Sequence, residues 1–173
     1  MRNLKTEIKY AVLSAIALVI WVIAEHLLGF NTTKMEVGQY TQPIIALATL
    51  IFLFFGIREK KNKELNGQLT FMQGLKTAFY ISFFYALLQG IWFAIYSGVI
   101  NPDYATLSLH FKEKQLIAEG KTLQQISDEL AMTKMIFGNA LLQFGFFIIS
   151  TTIIDTIVGA IMTLFLRTKK VKT

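Results

Sequence analysis

The chain has 173 residues, 54% of them apolar and only 16% charged, with a mean hydropathy of +0.51 and a formal net charge of +6. A soluble domain carries about 25% charged residues, and one of this composition would expose large apolar patches and aggregate. Cysteine is absent, which excludes disulfides, thiol nucleophiles and cysteine metal sites.

A bilayer's hydrocarbon core is about 30 Å thick and takes about 20 apolar residues of helix. The first segment that fits is Tyr10 to Gly29, YAVLSAIALVIWVIAEHLLG. Its apolar run is too long for a signal peptide, and no small-residue cleavage site follows it. Ala11, Ser14 and Ala15 offer it a small contact face, and Glu25 with His26 place two polar groups one turn inside its outer end. Adjacent residues diverge by about 100° around a helix, so this pair is not a metal motif. Asn31 opens the short string NTT, a sequon too common by chance to carry weight. The second span runs from Tyr40 to Ile57, with Pro43 in its first turn, where a missing N–H costs little.

The third span, about Thr70 to Val99, contains small residues at every fourth position: Gly74, Ala78, Ser82, Ala86, Gly90, Ala94 and Gly98. Lipid tails are as apolar as leucine, so helices in a bilayer associate where small residues let backbones approach closely. Such a row drifts about 40° per step on a straight helix. The expectation is therefore that its cytoplasmic half packs on one neighbour and its outer half on another, with the third span as hub.

Residues of about 101–134 read as a helical hairpin outside the membrane. Asn101 suits a cap, Pro102 a first helical position, and Asp103 the positive end of the dipole. Gly120 suits the residue after a helix C-terminus, and Thr122 with Gln125 matches a capping box. Leu107, Phe111 and Leu123 are expected between the arms, and Leu123, Ile126 and Leu130 share one face. No break is evident before the fourth span, Met135 to Leu166. One helix of about 44 residues and about 66 Å is expected from Leu123 to Leu166.

The fourth span has its own row, Thr151, Asp155, Gly159 and Thr163. Asp155 lies about 18 Å along the helix from Arg167, near mid-membrane. Ionisable groups there are costly and raise a functional question. Asp155 is expected either as a protonated hydrogen-bond group between helices, held by Ser82, Tyr85, Gln89 or Lys76, or as a proton or cation site. Glu25, His26, Asn139 and Gln143, with Gln89 deeper, fall at similar depths and could line a polar pocket open to the outside. His110 stands alone in the hairpin.

Basic residues set the orientation. Arg2, Lys5, Lys9, Arg58, Lys60, Lys61, Lys63, Lys76, Arg167, Lys169, Lys170 and Lys172 put twelve on one side; Lys34, Lys112, Lys114, Lys121 and Lys134 leave five on the other. Both termini are expected in the cytoplasm. The surplus charge then reads as a topology signal and a contact with anionic lipid, not as a nucleic-acid footprint. No phosphate loop, H-E-x-x-H, G-x-S-x-G or paired-Asp phosphotransferase pattern occurs, so neither an enzyme nor a cofactor or metal site is expected.

The arrangement resembles the Bacteroidetes membrane family known as a domain of unknown function, number 4199. The resemblance rests on LKTEIKYAV, on FFGIREKKNKELNGQLTFMQGLKTAF with Phe71, Gly74 and Lys76, and on VINPDY with Pro102. The long amphipathic stretch before the fourth span also fits. The resemblance implies a four-span inner-membrane protein of a Gram-negative cell and no catalytic residues. The expected architecture is all-α: one polytopic membrane domain over 1–173, with four transmembrane helices and an extracytoplasmic amphipathic hairpin between spans three and four. The favoured role is a non-enzymatic accessory or scaffold subunit meeting a protein partner, or a second copy, through span three and the hairpin. A small oligomeric transporter using Asp155 is the alternative.

Overall fold

The long helices expose large apolar side chains around the outside of the bundle, where a soluble bundle would carry charge. The computed structural model describes residues 4–168, so Arg2, Lys169, Lys170 and Lys172 of the charge asymmetry lie outside the described residues. Seven α-helices follow in order among those residues: α1 (Lys5–Leu27), α2 (Met35–Gly38), α3 (Gln42–Glu59), α4 (Phe71–Ile95), α5 (Tyr104–Ala118), α6 (Leu123–Phe137) and α7 (Ala140–Leu166). Wider π turns, Lys60–Glu64 and Tyr96–Ile100, extend α3 and α4. Four stretches are long and apolar enough to cross a membrane: Lys5–Leu27, Met35–Glu64, Phe71–Ile100 and Leu141–Leu166. On α1 the exposed residues Ile8, Val12, Ile16 and Ile20 form an outward stripe, as Ile149, Ile153, Ile157 and Ile161 do on α7. Both α3 and α4 pack against α1 and α7.

The most extensive of these contacts is α4 on α7. A methyl on Gly159 would run into Ala78, one on Gly74 into Thr163, and one on Gly90 would come 2.7 Å from the Phe144 ring. α7 thus meets the row at Gly74, Ala78 and Gly90, in both its halves, where a different neighbour for each half was expected. The partner side chains enlarge along the way, from Gly159 and Thr163 to Phe144, so α7 keeps contact with a row that rotates away. Ser82 and Ala86 are buried, whereas Ala94 and Gly98 are exposed. These last two border a cleft of about 160 Å3 with Gln143, Phe144 and Phe147.

The end of the bundle that carries both termini is closed by charge. Lys60 is 5% exposed and Glu7 fully buried, with Lys60 Nζ 3.0 Å from Glu7 Oε1 and 2.6 Å from Glu64 Oε2. Thr6 Oγ1 donates to Glu64 (2.5 Å). Glu59 accepts from Lys9 (2.7 Å), Tyr10 (2.8 Å) and Lys63 (3.2 Å). Lys61 Nζ donates to the Leu166 carbonyl at the end of α7 (2.8 Å), where a cation meets unsatisfied carbonyls and the negative end of the dipole. The Thr168 amide donates to the Leu69 carbonyl (2.9 Å) and its hydroxyl to the Gly67 carbonyl (3.0 Å). Capping boxes open α4 (Thr70, Gln73) and α6 (Thr122, Gln125).

At the other end, α5 and α6 form a hairpin around Leu116, Ile126 and Leu130, with Leu109 packed alongside. Gly120 (φ 75°) terminates α5, its amide donating to Ile117 and that of Lys121 to Leu116, the Schellman pattern. Lys121 also bonds Glu129 (3.0 Å), which raises its pKa above the usual 10.5. Of the residues expected between the arms, Leu107 and Phe111 are half-buried and Leu123 is 85% exposed. The inward face of α5 runs through Leu109 and Leu116, and Leu107 and Phe111 lie about 200° round from Leu109. Leu123 opens α6, and a side chain in the first turn leans back past the end of its neighbour.

Two further expectations are corrected. Asn101 does not cap α5: that helix starts at Tyr104 without a side-chain cap, and Asn101 is buried. The long helix is also broken. Asn139 Oδ1 accepts from the amides of Leu141 (3.0 Å) and Leu142 (3.1 Å) and starts α7 afresh. Met135 to Phe137 consequently belong to α6. An Asn after a Gly supplies an N-cap just where the preceding helix can end, and that outweighs the continuous apolar run.

Candidate functional site

The C-terminal turn of α1 organises the hairpin end of the bundle. Trp21 and Glu25 lie one turn apart, and the indole Nε1 donates to Glu25 Oε1 (2.8 Å). Gly29 (φ 81°) then reverses the chain, its amide donating to His26 and that of Phe30 to Glu25. The reversal brings Asn31 back under the carboxylate, where Nδ2 reaches Oε2 (3.4 Å). Thr41, immediately before α3, donates its hydroxyl to Oε1. Glu25 is only 5% exposed. Among the described residues no lysine, arginine or histidine lies within ion-pair distance of it. A carboxylate offers about four lone-pair positions; three donors are in place, and Oε2 holds the single long bond.

The wide turn at Tyr96–Ile100 swings Tyr96 inward to 1% exposure. His26 Nδ1 lies 3.1 Å from the Tyr96 hydroxyl. Asn101 Nδ2 donates to the same hydroxyl (3.3 Å) and to the Asn31 carbonyl (3.0 Å). The chain reversals at Gly29–Asn31 and Tyr96–Asn101 are therefore tied into one polar cluster.

Beneath it lies a cavity of about 300 Å3. Glu25, Asn31 and Gln89 supply its polar lining, and Leu18, Val22 and Ile45 its apolar floor. The rest of its wall is six aromatic rings: Trp92, Phe93, Tyr96, Tyr104, Phe137 and Phe147. The rings are in mutual contact, with centroids 4.9 Å apart for Phe93–Phe147, 5.5 Å for Phe93–Tyr104 and 5.5 Å for Tyr96–Tyr104. The Trp92 Nε1 is buried and finds no acceptor among the described residues. Burial raises the Tyr104 phenol above its usual 10.

A second cavity of about 270 Å3 adjoins the first through Leu18, Ile45 and Gln89 and contains Asp155, Thr49, Tyr85 and Thr151. Thr151 Oγ1 donates to Gln89 Oε1 (2.9 Å), and Thr49 to the Tyr85 hydroxyl (3.3 Å). Asp155 itself is half-buried and makes no hydrogen bond or ion pair with another described residue. Of its expected partners, Tyr85 and Gln89 bond Thr49 and Thr151 instead, Ser82 Oγ is buried without a partner among the described residues, and Lys76 is exposed.

The outer pocket expected from sequence is thus split. Glu25 and Gln89 share the aromatic cavity, while His26 contributes through Tyr96. Gln143 lines the separate cleft beside Gly98, and Asn139 is an exposed cap. Sequence reasoning missed Trp21, Thr41, Asn31, Tyr96 and Trp92. Only Trp21 had a local signal, its spacing of four from Glu25. The others converge through chain reversals. No group of three or more metal-ligating side chains occurs among the described residues.

The model of a family described as a protein of unknown function (DUF4199) matches residues 9–168, nearly the whole chain. Neither a curated protein nor a solved structure matches it.

Proposed function

Since the chain belongs to the DUF4199 family, whose description assigns no activity, we propose from its own residues a non-enzymatic accessory or scaffold protein of an envelope assembly in the bacterial inner membrane. Its termini lie in the cytoplasm in this reading, which the twelve-to-five distribution of basic residues supports. The hairpin then faces the other side. The observation that carries the role is the hairpin's uncovered apolar surface. Lys112, Glu113, Lys114, Asp128 and Glu129 keep α5 and α6 out of the hydrocarbon, yet Ile117 (59%), Leu123 (85%) and Met132 (64%) are exposed there. Lipid covers such residues on the spans; on the hairpin a protein partner would. Of the small-residue row, only Ala94 and Gly98 are left for a contact outside the bundle.

A photoreactive amino acid at Leu123 in native membranes tests this reading. A single dominant protein adduct, recovered at matching stoichiometry in native mass spectrometry of the gently solubilised complex, is the expected result. Adducts to lipid alone would overturn it.

A second reading is favoured by the two adjoining cavities, which run from Glu25 past Gln89 to Asp155. In that reading the protein is a small transporter or proton-conducting protein. Asp155→Asn in proteoliposomes separates the two: a proton-cycling transporter loses flux while folding normally, and a scaffold keeps its partner.

A further inference from the structure

We infer that the aromatic cavity is a binding site for a small organic cation, an ammonium group carried on an apolar body. The inference is independent of the scaffold role. Three observations converge on it, two on Glu25 and one on the wall across from it. The Glu25 carboxylate, on α1, is buried at the cavity wall with no cation within ion-pair distance among the described residues. Its Oε2 holds a single bond of 3.4 Å, so that one oxygen has acceptor capacity left. The opposite wall, from α4 to α7, is aromatic, and ring faces attract cations most where water is excluded. Ammonium groups are recognised by this pairing of a carboxylate with several rings.

The remaining features fix the class more closely. The volume of about 300 Å3 is that of about ten water molecules in the liquid, at the small end of ligand sites. A guest of about ten non-hydrogen atoms therefore fills it. Leu18, Val22 and Ile45 offer no polar partner, so the body opposite the ammonium is apolar. The Trp92 indole, a donor without an acceptor among the described residues, suits a guest with one oxygen acceptor. An anionic guest is disfavoured, because it would face a carboxylate with no cation within ion-pair distance among the described residues. The ammonium could belong to a free amine or to the head group of a zwitterionic lipid at the membrane surface.

Trp21 and Trp92 are the protein's two tryptophans; one bonds Glu25 and the other lines the cavity. Intrinsic fluorescence therefore reports on this site. The full chain in dodecyl maltoside is titrated with phenethylamine and its trimethylammonium analogue, with phenethyl alcohol as the neutral counterpart. A saturable change with both cations is expected, with the alcohol about tenfold weaker or more, as the loss of one charge-assisted contact implies. Glu25→Gln, which keeps acceptor capacity toward Trp21 and Thr41, is expected to abolish that preference for charge. Val22→Phe fills the cavity without touching the carboxylate and is expected to abolish binding; it stands as the test if Glu25→Gln fails to fold. Equal binding of amine and alcohol, or unchanged binding in either folded variant, would overturn the proposal. Repeating the titration in nanodiscs identifies the source. With the phosphatidylglycerol fraction held equal so that the surface charge is the same, weaker apparent binding when the balance is phosphatidylethanolamine than when it is a neutral glycolipid means the lipid head group occupies the site, and equal binding means a free amine does.

Discussion

One methyl group separates the tight from the open positions of this bundle. At Gly159 an added Cβ meets Ala78, whereas at Gly145, on the same helix, it meets nothing within 4 Å. Gly159→Val is expected to destabilise the protein by about 1–3 kcal/mol through overpacking. Gly145→Ala is expected to be neutral or to stabilise by up to about 1 kcal/mol, because alanine loses less entropy in a helix. Thermal unfolding in detergent, read by circular dichroism, checks both, and equal effects would contradict the packing described. The spacing that makes Gly159 and Ala78 partners was legible in the sequence, since rows of small residues have few other uses in lipid. Asn101 was legible only as a cap. Its inward bonds to Asn31 and Tyr96 depend on residues 70 and 5 positions away, which no local pattern announces.

Between α6 and α7 the helix is interrupted by a single side chain. Asn139→Ala removes the acceptor for two amides and should cost about 1 kcal/mol, while Asn139→Asp should cost little. Hydrogen exchange at Leu141 and Leu142 is the sensitive measure, with faster exchange expected at these amides and unchanged exchange deep in α7. Uniform acceleration along α7 would mean that Asn139 does more than cap. Helix existence was read correctly here from apolarity, and the break was missed for the same reason. A long apolar run says that a segment can be helical, while its continuity is decided by a few terminal hydrogen bonds. The capping boxes at Thr70 and Thr122 show the opposite case, a local signal strong enough to fix a boundary.

Over the whole molecule, the terminal end depends on Lys60, which serves both Glu7 and Glu64. Removing one partner of a buried pair costs about 3–5 kcal/mol because the other charge is left uncompensated. Lys60→Met removes the cation that bridges two carboxylates and should cost part of that loss, since Glu64 keeps its bond from Thr6. Glu7→Gln leaves Lys60 paired with Glu64 and should cost clearly less. Equal losses in a thermal unfolding series would argue against the shared role. In the sequence Lys60 counted as a topology charge, and its pairing with a residue 53 positions earlier is set by the packing of α1 on α3. The four spans were legible because the bilayer dictates length and composition. The aromatic cavity was not, because its rings come from four separate segments.

The contact of α4 with α7 has a consequence for how the protein is made. Chains enter the membrane from the N-terminus, so α4 is inserted well before its main partner exists. Until α7 arrives, the small-residue groove from Gly74 to Gly90 is open to lipid or to any other helix that can approach it closely. The inward face of α7, with Thr151, Asp155, Gly159 and Thr163, is poorly suited to lipid on its own. Each helix therefore protects the other from a wrong neighbour, and a nascent chain stalled between them would present an adhesive surface to the insertion machinery.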